Sequence, residues 1–229
     1  MHDTPQIAKP EPLAERPDAV IFDCDGVLVD SEPACFEMLA TDLTAHGLAL
    51  SAHQVEHEFI GGTMQGLWTR ARAMGANLPD DWVATFYDRL YARLALGTPL
   101  VAGVEQVMDA LDRCDIPYGV GSNGSEEKMH VTLGQHPAVK ARLAGRLFSG
   151  QTLAMPKPEP GLFLHVAAAL GAIPARAVVI EDSPTGARAA RAAGMVCFGY
   201  APQGDGARLA AEGARVFRSM ADLPALLAL

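Results

Sequence analysis

The chain has 229 residues, 49% of them hydrophobic, and a formal net charge of −9, because 27 Asp and Glu outnumber 18 Lys and Arg. That length is enough for one large core, or for one core with a smaller attached domain. The acidic balance disfavours nonspecific binding to nucleic acid or to an anionic membrane, and we expect neither partner. It does not exclude a phosphorylated small molecule, because a local cluster of amides, lysine and metal can override the global charge.

The N-terminal segment and the cysteines suggest a cytoplasmic protein. Residues 1–18 contain four prolines and lack the apolar run of a signal peptide, so we expect a flexible tail there. Four cysteines are scattered without a CxxC pair, which predicts neither a disulfide framework nor a zinc site and favours a reducing compartment. For the assembly we expect a monomer, with a weak homodimer as the alternative.

The first regular elements are a short strand and a helical segment. The run "AVIFD", residues 19–23, is apolar and bounded by a turn, which predicts a buried parallel strand. Between residues 33 and 98, four stretches place apolar residues three or four apart and carry a glycine near their ends. This pattern predicts four helices in a row, and we expect residues 33–98 to form an all-α cap domain.

From residue 99 onwards, helical and strand patterns alternate. The predicted strands lie in "PYGVGSN", "GRLFSG", "AVVIED", "MVCFGY" and "ARVFRS". Such alternation predicts an α/β fold, a Rossmann-like parallel sheet with helices on both faces. Residues 19–32 and 99–229 would form this core. The helical insertion would then lie beside the carboxyl ends of the strands, where ligands bind in open α/β sheets.

The first predicted strand ends in two carboxylates. Asp23 and Asp25 are two positions apart, so in an extended segment they point to the same side. An ordinary Asp-Gly turn is the alternative explanation for Asp25. A carboxylate at the end of a buried strand is energetically costly unless it is paired or bound to metal. Asp182 is in the same position, at the end of the predicted strand that contains "AVVI". These oxygen ligands favour Mg²⁺.

Two further polar positions follow predicted strands. Ser122 precedes a predicted helix, whose N-terminal amides favour an anion, although residues 122–125 could equally form an ordinary helix cap. Lys157 lies between two prolines, which stiffen the segment and suit a lysine that holds one position near phosphate. A solvated surface lysine is the alternative.

Taken in order, these motifs resemble those of the haloacid dehalogenase superfamily, within it the β-phosphoglucomutase-like and sugar-phosphate phosphatase subgroup. The motifs are "DCDGVLVDSE", the serine of "GSNG", the lysine of "KPEPGLF" and "EDSPTGARAARAAGM". The resemblance covers nearly the whole chain beyond the tail. It implies a phosphatase with an aspartyl-phosphate intermediate and a Mg²⁺ cofactor.

The resemblance also implies a role for each motif residue. Asp23 would be the nucleophile, and Asp25 the general acid and then the base. Ser122, Asn123 and Lys157 would bind the phosphoryl group. The residues implied for the metal are Asp23, Asp25 through its backbone carbonyl, Asp182, and Glu181 in or near the coordination shell.

Two other functions remain open, a phosphomutase and a non-catalytic binding protein. The mutases of this family carry a cap arginine and an early histidine, where this sequence has Met64 and Cys35. This difference favours transfer of the phosphoryl group to water, and so a phosphatase over a phosphomutase. The complete set of motifs argues against a non-catalytic binding protein. Gly61, Gly62 and Thr63 are candidates for a cap loop that contacts substrate. Arg70 and Arg72 could add cationic contacts. A sugar phosphate is the expected substrate.

Overall fold

The computed structural model describes residues 10–59 and 63–229, and its centre is a six-stranded parallel sheet in the order β3-β2-β1-β4-β5-β6. The strands are β1 Ala19–Phe22, β2 Tyr118–Ser122, β3 Leu147–Ser149, β4 Ala177–Glu181, β5 Val196–Tyr200 and β6 Arg215–Phe217. All four residues of β1 are buried, because β1 lies between β2 and β4 and is covered on both faces. The predicted α/β fold class is confirmed.

Helices cover both faces of the sheet. Along β1, Val20 and Phe22 point into one hydrophobic core, whereas Ala19 and Ile21 point into another, as the two-residue repeat of a strand requires. The helices of this part are α5 Val104–Arg113, α6 Glu126–Leu133, α7 Pro137–Arg142, α8 Gly161–Ala169, α9 Pro184–Ala192, α10 Ala207–Ala211 and α11 Leu223–Leu226. The sequence patterns missed α7 and α10, because helices of six and five residues are too short to display a period.

Four described helices lie between β1 and α5, in the segment where the sequence predicts them. They are α1 Glu32–Ala45, α2 Ala52–Phe59, α3 Met64–Ala73 and α4 Trp82–Ala95, and we call them the helical block. Their apolar side chains pack around a hydrophobic core of their own, centred on Trp82, Phe86 and Leu90. This separate core supports the proposal that residues 33–98 form a domain. Leu96 is exposed, and the chain re-enters the sheet layer after Thr98.

The second half of the predicted flexible tail is attached to the core. The Leu13 amide donates to the Leu226 carbonyl at 2.8 Å, and the Asp18 amide to the Arg176 carbonyl at 2.9 Å. The Arg176 guanidinium in turn pairs with Glu15 at 2.8 Å. Proline content alone could not reveal these partners, which lie more than 150 positions away. Residues 1–9 lie outside the described part of the chain.

No helix among residues 10–59 and 63–229 is both long enough and apolar enough to cross a membrane.

The helical block depends on one buried carboxylate. Asp42 on α1 accepts hydrogen bonds from the indole N–H of Trp82 and, at 2.6 Å, from the Arg89 guanidinium, both on α4. We expect Asp42→Ala to lower the free energy of unfolding by about 1–3 kcal/mol, because the buried indole N–H loses its acceptor. Chemical denaturation measures the change. Glu37→Ala, at an exposed position of the same helix, is the matched control, and equal losses for both variants would contradict this role.

Candidate active site

Polar side chains from three strands and one loop meet at the carboxyl edge of the sheet. Asp23 follows β1, Ser122 ends β2, Glu181 ends β4, and Lys157 lies in the loop between β3 and α8. These residues line a single cavity of about 170 Å³, which Asp25 and Asp182 also line. Neighbouring parallel strands end at the same edge, so motifs far apart in sequence converge here.

Lys157 is buried and contacts two carboxylates. Its Nζ lies 2.5 Å from Asp23 Oδ1 and 2.5 Å from Glu181 Oε1. Burial alone would lower the pKa of Lys157, but the charges of Asp23 and Glu181 outweigh it and raise that pKa above its ordinary value. The ammonium group is therefore charged and points inward. The alternative of a solvated surface lysine is wrong.

Asn123 holds the backbone of the lysine loop. Its side-chain Oδ1 accepts from the Lys157 amide at 2.8 Å, and its Nδ2 donates to the Lys157 carbonyl at 3.2 Å. Both ends of this side-chain amide are thus engaged with protein. One side-chain N–H and the backbone N–H of Asn123 are the donors that a phosphate contact, as predicted, could use.

Glu181, predicted to lie in or near the metal shell, accepts several hydrogen bonds from protein. Besides Lys157 at Oε1, its Oε2 accepts from the amide of Asp182 at 3.0 Å and from the amide and hydroxyl of Ser183, both at 2.9 Å. Glu181 therefore holds Lys157 and the start of α9, and its contact with a metal stays a prediction.

Asp25 is held by two residues that were not predicted as site residues. Ser31 donates to Asp25 Oδ1 at 2.5 Å, and Lys128 Nζ lies 2.8 Å from the same oxygen. Burial alone would raise the pKa of Asp25, but Lys128 and Ser31 bring it below its ordinary value. Cys24, between the two aspartates, points into the hydrophobic core, as strand alternation predicts.

Asp23 and Asp182 are the carboxylates best placed to hold a cation. Burial raises the pKa of Asp23 to about 7, although the charge of Lys157 opposes this increase. Burial raises the pKa of Asp182 well above its ordinary value, and the charges of Glu32 and Glu181 add to the increase. Among residues 10–59 and 63–229, no group of three or more His, Cys, Asp or Glu side chains forms a metal site. Mg²⁺ needs only one or two carboxylates, with waters and phosphate completing its coordination. Two carboxylates and the Asp25 carbonyl therefore fit this ion.

Gly26 allows the Asp182 carboxylate to come this close to the first motif. Its φ is +73°, a left-handed conformation that glycine adopts readily. A Cβ atom at this position would lie 1.9 Å from Asp182 Oδ2. The loop after β1 is thus shaped to admit a carboxylate from the loop after β4.

Ser122 is almost fully buried at the end of β2, and its hydroxyl accepts from the Gly124 amide at 3.0 Å. The helix-cap alternative applies to its neighbour: Ser125 is the N-cap of α6 and accepts from the Lys128 amide at 3.0 Å. Each explanation therefore applies to a different serine. Ser125 caps the helix, and Ser122 lies in the wall of the cavity.

A family model for haloacid dehalogenase-like hydrolases matches residues 17–194. The chain belongs to the haloacid dehalogenase-like hydrolases. It is 29% identical over 212 residues to 6-phosphogluconate phosphatase of Escherichia coli (strain K12), covering 92% of this chain and 95% of that protein. It is also 29% identical over 176 residues to hexitol phosphatase A of the same strain, covering 76% of this chain and 78% of that protein.

A solved structure agrees with this assignment. The crystal structure of a conserved haloacid dehalogenase-like protein of unknown function from Agrobacterium tumefaciens superposes with a TM-score of 0.82. That protein is 33% identical, and the match covers 92% of this chain and 97% of the other. The predicted superfamily is therefore confirmed, and this hydrolase is a phosphoric monoester hydrolase that acts on a small phosphorylated metabolite.

Lys128 and Glu32 are the residues of this hydrolase's cavity that motif reasoning missed. One feature of the sequence could have identified Lys128. It is the third residue of α6, where the helix dipole disfavours a cation, so a lysine at this position is favoured by an anionic partner. Glu32 begins α1 and lines the cavity, and burial raises its pKa to about 8. Nothing in the local pattern distinguishes it from an exposed helix-start glutamate.

The helical block forms the other side of the cavity. Met64, Cys35 and Thr63 line it, and Thr63 also caps α3 by accepting from the Gly66 amide at 3.1 Å. Gly61 and Gly62, the other predicted loop residues, lie outside the described residues. Two arginines considered as cationic contacts are engaged elsewhere, since Arg70 pairs with Glu58 and Arg72 with Asp80.

The close packing of Glu181 against α9 allows the role of Glu181 to be tested by a substitution. A Cβ atom at Gly186 would lie 1.8 Å from Glu181 Oε1, so Gly186→Ala must displace the carboxylate that holds Lys157. We expect phosphatase activity to fall about tenfold or more, because a displacement of about 1 Å at a reacting centre can cost about a hundredfold.

The matched control is Gly161→Ala, at another helical glycine, where the new Cβ would meet Met155 at an ordinary 3.4 Å. Steady-state kinetics with circular dichroism separates a local effect from unfolding. Full activity in Gly186→Ala would show that the position of Glu181 does not matter for the reaction.

Proposed function

We propose that the protein is a Mg²⁺-dependent phosphatase that acts on a small phosphorylated metabolite, such as a sugar phosphate, through a phosphorylated Asp23. The observation that carries this proposal is the buried contact of Lys157 Nζ with Asp23 Oδ1 at 2.5 Å. This contact lies at the floor of a cavity that Asp25 also lines. An isolated buried carboxylate would be a poor nucleophile once protonated, and the adjacent ammonium group favours its charged form against the effect of burial.

The first half of the proposed reaction is transfer to the protein. An Asp23 carboxylate oxygen attacks phosphorus and the bond from phosphorus to the substrate oxygen breaks. Asp25, which would carry the proton taken from water in the preceding turnover although Lys128 and Ser31 favour its ionised form, gives that proton to the leaving alkoxide. Lys157 and the Ser122 hydroxyl would stabilise the negative charge on the transferring phosphoryl oxygens.

The second half of the proposed reaction is transfer of the phosphoryl group to water. Water attacks the phosphorus of the aspartyl-phosphate, Asp25 accepts its proton, and Asp23 is released with inorganic phosphate. The ionised state of Asp25 beside Lys128 is the state that can accept this proton. Ser31, bound to the same carboxylate, would orient it in both halves.

Mg²⁺ would be held by the Asp23 and Asp182 carboxylates and the Asp25 carbonyl. When bound, it would neutralise phosphate charge and align the phosphoryl group with the nucleophile. The helical block, which lines the other side of the cavity, would act as a cap that excludes bulk water and selects the leaving group.

The nucleophile assignment is tested by Asp23→Asn, which keeps the size of the side chain and removes its charge. We expect release of phosphate from p-nitrophenyl phosphate to fall at least about a thousandfold, because the variant cannot form the acyl-phosphate. Circular dichroism checks the fold, and Asp88→Asn, at an exposed position of α4, is the control. Turnover within tenfold of the unmodified protein would refute the assignment.

The metal assignment is tested by chelation. Treatment with EDTA should abolish activity and added Mg²⁺ should restore it, because the phosphate charge then lacks its counterion. Mg²⁺ should also raise the melting temperature by binding the folded state, and Asp182→Asn should lose this shift. Undiminished activity in EDTA, or an unchanged shift in the Asp182 variant, would rule out a metal held by these residues.

A further inference from the structure

We infer that the alcohol released by this phosphatase is small and electrically neutral, carrying neither a carboxylate nor a second phosphate. The inference rests on the proposed function and extends it from the phosphoryl group to the leaving group. Its basis is the wall of the cavity that the helical block provides, opposite Asp23 and Lys157.

That wall is predominantly apolar. Its carbon-rich side chains are those of Phe36, Leu39, Phe59, Met64, Leu67 and Leu90. Thr63 and Tyr87 contribute hydroxyl groups, and Tyr87 hydrogen-bonds to Gln151 on the opposite side. The wall can therefore contact C–H groups over most of its area and offers neutral hydrogen-bonding groups at its edge.

No described residue of this wall carries a positive charge. Its ionisable groups are the carboxyl of Glu32, the thiol of Cys35 and the phenol of Tyr87. Burial raises the pKa of Glu32 to about 8 and that of Cys35 to about 11, and it also raises the pKa of Tyr87. A substrate carboxylate would find no cation among the described residues on this side.

The two lysines in the cavity are already paired at its phosphate end. Lys157 lies between Asp23 and Glu181, and Lys128 lies 2.8 Å from Asp25. Both come from the sheet layer, and each is as close to its carboxylate as an ion pair allows. A second anion on the substrate would have to break one of these pairs or remain unpaired in a partly buried site, which is unfavourable.

The size of the cavity suits a small leaving group. Its volume is about 170 Å³, below the roughly 300–1,000 Å³ of pockets that enclose drug-sized ligands. A second cavity of about 820 Å³ adjoins it and shares Glu32, Phe36 and Asp182 with it. The substrate class that fits is a phosphomonoester of a small polyol or sugar, with C–H groups against the wall and hydroxyls towards Tyr87 and Gln151.

The test uses two substrates that differ only in this charge. Glucitol 6-phosphate and 6-phosphogluconate share a six-carbon chain and differ at C1, a CH₂OH group against a carboxylate. With the full chain and Mg²⁺, we expect kcat/KM to favour glucitol 6-phosphate by about tenfold or more. The two-carbon pair, 2-hydroxyethyl phosphate and phosphoglycolate, should follow the same order.

Equal values, or a preference for the carboxylates, would overturn the inference while leaving the phosphatase assignment intact. Failure to hydrolyse all four compounds and p-nitrophenyl phosphate would instead overturn the proposed function, and the inference with it. The activity on p-nitrophenyl phosphate thus distinguishes the two failures.

A substitution in the wall makes the second arm of the test. Met64→Lys adds a cation where the wall has none, and Met64→Gln is the neutral control of similar length. We expect Met64→Lys to shift the ratio of kcat/KM values towards 6-phosphogluconate by about tenfold, and Met64→Gln to leave this ratio within about twofold. An unchanged ratio in a folded Met64→Lys variant would mean that this wall does not face the leaving group.

Discussion

The structure of the site depends on one buried ammonium group. Lys157 Nζ lies 2.5 Å from each of two carboxylates, Asp23 after β1 and Glu181 at the end of β4. Unpaired charges are costly away from water, so each of the three groups requires the other two. This requirement joins the loop after β3 to two central strands. It explains why Asn123 holds the lysine backbone and why Gly186 leaves room for Glu181.

The cavity above this contact has two chemically different halves. The sheet edge supplies the charged groups, including a second pair in which Lys128 and Ser31 hold Asp25. The helical block supplies apolar side chains such as Phe36 and Leu67. Charge is therefore concentrated where a phosphoryl group would be transferred. Under the proposed function, selection among substrates would fall to a predominantly apolar surface on a separately packed set of helices.

Much of this arrangement could be predicted from the residues. Runs such as "AVIFD" and "AVVIED" identify buried strands that end in acids, and parallel strands place those acids at one edge. The partners of each acid could not be predicted in the same way. Asp23 and Lys157 are 134 positions apart, so their contact depends on the packed sheet and on the path of the loop after β3. For the same reason the sequence could not show that Glu181, adjacent to Asp182 and equally acidic, binds Lys157.

The amino-acid sequence was sufficient for the fold class, the order of the motifs and the family. The fold class follows from the hydrophobic period, and the family from the resemblance of the motifs at the strand ends to those of known proteins; both are local properties of the chain. Only the folded molecule shows which carboxylate contacts which lysine, that residues 10–18 are attached to the core, and that the described residues of the cavity wall on the helical block include no cation. These are contacts between distant segments, and their energies depend on burial and distance, which exist only once the chain has packed.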